Sequence, residues 1–532
     1  MDGVGVAWKR GEPKRAATRK WDDRRIIYDP LVYQPAAPRG NPPLGSVQEQ
    51  IAQRLGESLP VTTSLSGTAG GMVTEVRASD LMLGSPLRTP PREVHVSKLP
   101  LAPLAVGILV AAVGWVAVGA TQATFRQSLP DGLSDEYDEI AINLVEHGRY
   151  SADLTHWERS TVTRGPAYPL YLAAVFRVFG LRNLGAAART DMLLYALTAG
   201  LLTATLQTFV AAPAAAAGGL VFAFWPTTFY FAVKGSSETL LDLLLVASLG
   251  ALVLFRARPG RLRAAALGAC LGLACLARGS AVVLLAVAVV WAVARAARRE
   301  LPWSQVAVVV LAWALTMSPW WIRNARVSGE FVPFHSLTWY NAYHDDVFDR
   351  TKQWLASQGM GGADWSSVDR ARLPASLPSH PAGSVYPAIL DARADLAQER
   401  MYRTIMLGKF RSPGYLMDKL LRNAVDFWSA AASATKGRKL LVTSIAWLSL
   451  YAAGLSFALR QASQRWLAQV CLAFVVLTWA LYLPFLALFR HSIPTAPFIA
   501  ATLGPGLWAA IRRGWSAISP ASAAREVDSS RV

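Results

Sequence analysis

Five carboxylates fall within nine residues of this chain: Asp131, Asp135, Glu136, Asp138 and Glu139. Acids crowded together repel one another, so a cluster of this kind points to a bound cation, a cationic partner or a proton-transfer role that offsets the cost. Asp135 is the sharpest candidate for a general base, with Asp131 and Glu136 beside it. The milder reading is a helix start, where the macrodipole favours each acid by roughly 0.3–1 kcal/mol. Asp138 and Glu139 fit both readings.

Basic and aromatic groups follow. In Thr163-Arg164-Gly165-Pro166-Ala167-Tyr168-Pro169 two prolines stiffen the approach to a helix. Arg164 stands at its rim with a planar fork suited to phosphate oxygens or to anchoring at a membrane interface, and Tyr168 stands behind it. Lys234 and Glu238 flank Gly235-Ser236-Ser237 within apolar sequence, where charges face a cavity or pair with each other. Arg278, Arg490 and His491 close other apolar stretches, and cations gathered there would suit an anionic lipid headgroup. His344-Asp345-Asp346 has the residue types for a hard cation but reads as a solvated turn. No metal site is assigned, and a divalent cation stays open as a cofactor.

These residues must be carried by membrane-spanning helices. Of 532 residues 53% are hydrophobic and only 17% charged, with mean hydropathy +0.29, too apolar for a soluble chain of this size. Apolar runs recur from Leu101 to Ile511, each able to cross about 30 Å of hydrocarbon, and without strand alternation they read as helices. The three cysteines, Cys270, Cys275 and Cys471, lie inside such runs and support neither disulfide nor zinc chemistry. No Gly-rich phosphate loop, HExxH, CxxC or Gly-x-Ser-x-Gly is present, which sets aside the corresponding enzyme classes. The net charge of +18 is read as cytoplasmic loop charge that fixes orientation, not as a nucleic-acid surface.

Along the chain, residues 1–98 are expected to be a disordered basic cytoplasmic tail, residues 99–513 the membrane domain and residues 514–532 a second cytoplasmic tail. Ten spans are expected, beginning near Leu101, Met192, Ala211, Thr239, Leu262, Ser280, Val306, Leu440, Leu467 and Ile493. Arginines at 256, 258, 261 and 263, at 295, 298 and 299, at 460 and 465, and at 512 and 513 then share one side, which places both termini in the cytoplasm. Two large segments, about 122–190 and 322–438, are left outside, rich in Trp, Tyr and Pro and suited to short interfacial helices. In the first, Ser134 offers a cap and Gly148 a stop. Tyr137, Ile140, Ala141, Leu144 and Val145 form the docking face between them, and the acids stay free.

Three blocks resemble the GT-C glycosyltransferases that use polyprenyl-phosphate sugars, in the branch holding protein O-mannosyltransferases and the aminoarabinose and galacturonic-acid transferases that act on lipid A. They are EYDEIAINLVEHGRYS with RGPAYPLYLAAVFRVFG, then GSSETLLDLLLVASLG, then SPWWIRNARVSGEFVP; LFRHSIPTAPFIAA is a weaker echo. Leu133 stands where the family commonly places its catalytic Asp, four residues before the Tyr, so Asp131 and Asp135 on either side both remain candidates. His491 replaces the usual Tyr.

The resemblance implies an all-α, GT-C-like polytopic protein in a bacterial-type inner membrane. It implies inverting transfer of a sugar, at the outer face, from a polyprenyl phosphate to a hydroxyl on a glycan, glycolipid or protein. A carboxylate would take the acceptor proton while Arg164, Lys234 and Arg490 hold the departing phosphate, with Tyr168, Glu238 and His491 nearby. The rival class is a lipid-linked-glycan flippase or other transporter, which would keep its charges near the midplane and show internal repeats. A scaffold that has lost catalysis is the third reading.

Overall fold

The computed structural model describes residues 101–128, 136–359, 391–429 and 434–518, all helical or irregular, with no strand among them. The two tails therefore lie largely outside the described residues, as do Ser134 and the acids Asp131 and Asp135.

The apolar helices are α1 (Leu101–Ser128), α4 (Leu184–Leu206), α5 (Ala212–Ala223), α6 (Pro226–Lys234), α7 (Ser237–Ala257), α8 (Arg261–Ala277), α9 (Val282–Ala297), α10 (Trp303–Ser328), α14 (Ala434–Arg460), α15 (Arg465–Tyr482) and α16 (Ala496–Ile518). Between α1 and α4 lie α2 (Tyr137–Glu146) and α3 (Ala167–Phe179); between α10 and α14 lie α11 (Thr338–Ser357), α12 (Ala392–Phe410) and α13 (Pro413–Ser429). Among the described residues six helices are long and apolar enough to cross a membrane, or seven if α5 and α6 together make one bent span. The chain is a multi-pass membrane protein. A helix stands near each of the ten expected span starts, but α4 starts at Leu184, eight residues before Met192, and α5 and α8, at 12 and 17 residues, are short for a span.

With lipid outside and no water to drive association, these helices pack through small residues. A Cβ on Gly268 would come 2.2 Å from the Val309 carbonyl oxygen, and one on Gly272 would come 2.6 Å from Thr316. Only glycine lets α8 and α10 lie this close. Gly504 of α16 meets Gly218 of α5 in the same way.

Two prolines inside apolar sequence are repaired by neighbouring hydroxyls. Pro226 has no N–H for the Phe222 carbonyl, and there the chain bends by 60° between α5 and α6. The Tyr195 hydroxyl lies 2.9 Å from that carbonyl oxygen and 2.8 Å from Thr228 Oγ1. Pro319 likewise leaves the Leu315 carbonyl without its helical donor, and Ser318 Oγ supplies one at 2.9 Å. The helix therefore continues through Ser318-Pro319-Trp320-Trp321. It ends at Ser328, with Gly329 at φ 78 behind it.

Beyond α10 one expectation is corrected. Asp345 and Asp346 belong to α11 and not to a solvated turn; both are buried. Lys419 of α13, with 0% exposure, donates to Asp345 Oδ2 at 2.6 Å, Asp346 Oδ1 at 3.1 Å and the Ala342 carbonyl at 3.1 Å. Lys409 and the Tyr415 hydroxyl take the other Asp346 oxygen, each at 2.6 Å. A buried lysine survives there because its donors meet paired acceptors. The run of residues that suggested a cation site is an internal lock.

Candidate active site

The acidic segment enters the described residues at Glu136, whose backbone is left-handed, with φ 64. Such a conformation costs a non-glycine residue about 1–3 kcal/mol and persists only where surroundings impose it. Here it turns the chain into α2 and brings the Glu136 carboxylate to 3.6 Å from Arg164 Nε and 3.5 Å from Thr163 Oγ1. The Arg164 guanidinium also lies over the Tyr137 ring, 5.7 Å from its centroid. Thr163 Oγ1 is 2.9 Å from Thr161 Oγ1, which in turn lies 3.0 Å from Asp395 Oδ2. A hydroxyl has one proton, so Thr163 can give it to Thr161 or to Glu136 but not to both. Arg164 is then the firmer described contact of Glu136.

Behind this rim, α2 docks as its sequence spacing predicts: Tyr137, Ile140 and Ala141 are buried against α3 and the end of α10, and the helix stops before Gly148, with φ 64. The acids do not stay free. Asp138 is buried, and burial followed by the neighbouring Asp138 charge pushes Glu139 up to about 8. They pack inward because α2 is only ten residues long and wedged on more than one side.

The loop that carries Arg164 is fixed from three directions. Arg323 donates to the Thr161 carbonyl at 2.6 Å and the Tyr150 carbonyl at 3.1 Å, while its guanidinium lies 4.9 Å from the Tyr150 and Trp320 rings. The Tyr150 hydroxyl lies 3.1 Å from the Arg164 carbonyl oxygen and 3.0 Å from that of Gly165. A Cβ on Gly165 would come 2.6 Å from the Leu276 carbonyl oxygen, so glycine is needed for the loop to settle on the corner between α8 and α9. Arg278 stands in that corner. His335 feels both Arg164 and Arg278; burial first, then those two charges, press its pKa down to about 4. It is a neutral ring at physiological pH.

Glu238, at 1% exposure, is the pivot of the deeper half. Its Oε1 accepts from Arg278 Nη2 at 2.9 Å and from Arg490, with Nε at 3.0 Å and Nη2 at 2.9 Å. The sequence left Glu238 to face a cavity or to pair with Lys234; the two guanidiniums reach its carboxylate because α7, the α8–α9 corner and the short 3-10 helix Phe489–Thr495 meet at this point. One carboxylate thus lies between two guanidiniums, partly shielded from water. Half-buried Lys234 closes α6 nearby in sequence.

Tyr168 and His491 have different surroundings from those expected. Tyr168 is buried, and its hydroxyl donates to Asp191 Oδ2 at 2.8 Å, an oxygen that also accepts from Ser236 N at 3.0 Å. This ties α3 to the start of α7. His491 Nδ1 accepts from Leu488 N at 3.2 Å, and the ring stacks on Tyr482 with centroids 4.4 Å apart. Desolvation, then the charges of Arg278 and Arg490, lower its pKa to about 3, so it adds no cation.

Several polar residues at the site were not singled out from sequence. Asp395 binds Thr161 Oγ1 and, at 3.4 Å, Val162 N; burial raises its pKa to about 7. Glu399 caps α11 from another helix by accepting from Trp339 N at 2.7 Å and Tyr340 N at 3.0 Å, and burial raises it to about 7 too. Ser336 and Arg323 complete the group. Their partners lie up to 234 residues away, and no spacing rule reaches that far. Among the described residues no group of three or more His, Cys, Asp or Glu could hold a metal ion.

No family model and no curated protein matches this chain. Among solved structures it is similar to the archaeal oligosaccharyltransferase AglB from Archaeoglobus fulgidus, in complex with an inhibitory peptide and a dolichol-phosphate, at 11% identity and TM-score 0.44, over 79% of this chain and 52% of that one. It is also similar to ArnT from Cupriavidus metallidurans in the apo state, at 16% identity and TM-score 0.31, over 74% of this chain and 78% of that one. The chain thus spans about half the length of the archaeal protein.

Proposed function

We propose that this membrane protein is a GT-C-like glycosyltransferase that moves a sugar from a polyprenyl phosphate to a hydroxyl acceptor at the outer face of a bacterial-type inner membrane. The observation that carries the reading is the Arg278–Glu238–Arg490 cluster, with the Glu136–Arg164 rim as its companion. Two guanidiniums gathered on one carboxylate from three separate elements in a water-poor place suit a leaving phosphate, whose charge grows as the bond breaks. The Glu136 carboxylate beside Arg164 suits the other end of the reaction.

In the proposed step the acceptor oxygen attacks the sugar C1 from the face opposite the phosphate. The acceptor O–H proton passes to a carboxylate of residues 131–136, the new O–C1 bond forms, the C1–phosphate bond breaks with its electron pair, and the configuration at C1 inverts. Arg164, Arg490 and Lys234 are the proposed phosphate partners, to which Arg278 is added. Tyr168 and Glu238 act behind them, by tying α3 to α7 and by aiming the guanidiniums.

A transporter of lipid-linked glycans would use similar cations, and the 60° break between α5 and α6 favours it. The two readings separate in one assay. Purified protein is given radiolabelled polyprenyl-phosphate sugars and envelope extract, alongside Asp131→Asn, Asp135→Asn, Glu136→Gln and Arg164→Ala. Label should enter an acceptor with the parent, and one acid substitution should cut the rate by about a hundred- to ten-thousandfold. Lipid movement in vesicles that survives all three acid substitutions, with no transfer, would replace the enzyme by a transporter.

A further inference from the structure

At the ends of the helices away from the proposed site, charge is almost all of one sign. The connections 256–263, 295–300 and 460–465 carry nine arginines, no lysine and one acid, Glu300. That acid is already taken: Glu300 Oε2 lies 2.6 Å from Arg295 Nε. Arginines at such ends fix orientation and suit the carbonyl ends of helices, and exposed, solvated ones such as Arg298 ask for nothing more.

Arg256 is placed differently. It stands half-buried in the last turn of α7, about 27 Å along that helix from Glu238. Its guanidinium lies over the Trp466 ring at the start of α15, 4.5 Å from the centroid. Trp466 meets Trp291 of α9 edge to face, with centroids 5.7 Å apart, and Trp291 in turn carries the Arg295 guanidinium at 5.8 Å. Phe209 stacks on Trp466 at 6.2 Å, and Phe255 meets Trp291 at 6.1 Å. Four aromatic rings thus hold two guanidiniums at one corner, near enough for the Arg295 charge to act on Arg256. Arg295 has Glu300, but among the described residues no acid, carbonyl or hydroxyl accepts from Arg256. Like charges brought together at the edge of hydrocarbon repel strongly, and an anion between them would reverse the sign of that interaction.

We propose that the corner formed by Arg256, Arg295 and Trp466 binds the phosphate of an anionic phospholipid headgroup, in the leaflet opposite the proposed site. On the proposed orientation this is the cytoplasmic leaflet. Three features select that ligand. Guanidinium forks match phosphate oxygens two at a time, and the rings beneath them fix where the forks stand. The corner lies at the ends of apolar helices, where Leu254 and Val290, 59% and 56% exposed, give acyl chains a surface just deeper. The arginine-rich connections around it repel a choline cation, which favours a headgroup of net negative charge over a zwitterionic one. None of this depends on the transferase reading. Because the rings join α7, α9 and α15, a lipid held there should also brace the fold.

The test uses full-length protein stripped of lipid in a neutral detergent, with dioleoyl phosphatidylglycerol, dioleoyl phosphatidylcholine and inorganic phosphate as probes, read by native mass spectrometry and thermal unfolding. Phosphatidylglycerol should stay bound and raise the melting temperature, and phosphatidylcholine should bind about tenfold more weakly. Arg256→Gln should weaken phosphatidylglycerol binding about fivefold to tenfold, whereas Arg298→Gln, which removes the same charge from an exposed position, should leave it unchanged. Arg295→Gln should weaken it too, and that variant carries the test if Arg256→Gln fails to fold. Equal binding of the two lipids, equal losses in Arg256→Gln and Arg298→Gln, or displacement of the lipid by millimolar inorganic phosphate would overturn the proposal, leaving respectively no selectivity, a diffuse field and a site for free phosphate.

Discussion

Glu238 carries more of the site than its single charge suggests. It accepts from two guanidiniums that come from sequence positions 278 and 490, and it lies almost wholly out of water. Removing one member of a buried ion group leaves the others uncompensated, at a cost of about 3–5 kcal/mol, more than the net worth of the pair. Glu238→Gln is therefore expected to lower thermal stability in detergent sharply, whereas Lys234→Gln, at a half-buried helix end, should lower it far less. Equal melting points for the two would remove Glu238 from its central place. Sequence position alone marked both residues as costly at membrane depth, and that much was legible. The partners were not, because Arg278 and Arg490 reach Glu238 across 40 and 252 residues through tertiary packing. Arg323 was visible only as part of a family-like turn; nothing in its neighbours announces that it would hold the carbonyls of Tyr150 and Thr161.

Helix α2 shows how far a periodic pattern carries. Tyr137, Ile140 and Ala141 are buried as their spacing requires, and Gly148 closes the helix in the left-handed region. The pattern says which face packs first, but not that a second surface will cover the opposite side, and so Asp138 and Glu139 read as free. Their burial has a pH consequence. Glu139 sits at about 8 in the fold against an ordinary 4.5, so the folded state binds its proton more tightly than the unfolded chain does. Its contribution is fully present below about 4.5 and is lost as pH rises through about 8. Hydrogen exchange in α2 should therefore speed up from pH 5 to 8.5, after correction for intrinsic rates, and Glu139→Gln should flatten that dependence. An unchanged slope in the variant would place the titrating group elsewhere. The same limits explain the spans: apolar runs located the apolar helices but not the polar α11 and α12, and they did not tell that the chain bends by 60° at Pro226 while one helix runs on through Pro319, where a hydroxyl meets the orphaned carbonyl in both places.

Across the whole molecule the arginine-rich connections lie at one set of helix ends and the proposed site at the other. On the proposed outer-face orientation of the site, a single cysteine at Glu158 should react with an impermeant thiol reagent in intact cells, and one at Arg261 only after permeabilisation. Cys270, Cys275 and Cys471, which lie within helices α8 and α15, are replaced beforehand. The reverse pattern would put the site in the cytoplasm and exclude an outer-face donor. The lock at Lys419 has a consequence in time. Lys419 leaves the ribosome 74 residues after Asp345, which is about 4–15 s at ordinary elongation rates. Through that interval α11 carries two acids bound for burial with no lysine to meet them. Its docking must wait for α13, so the segment between α10 and α14 closes late, and all at once.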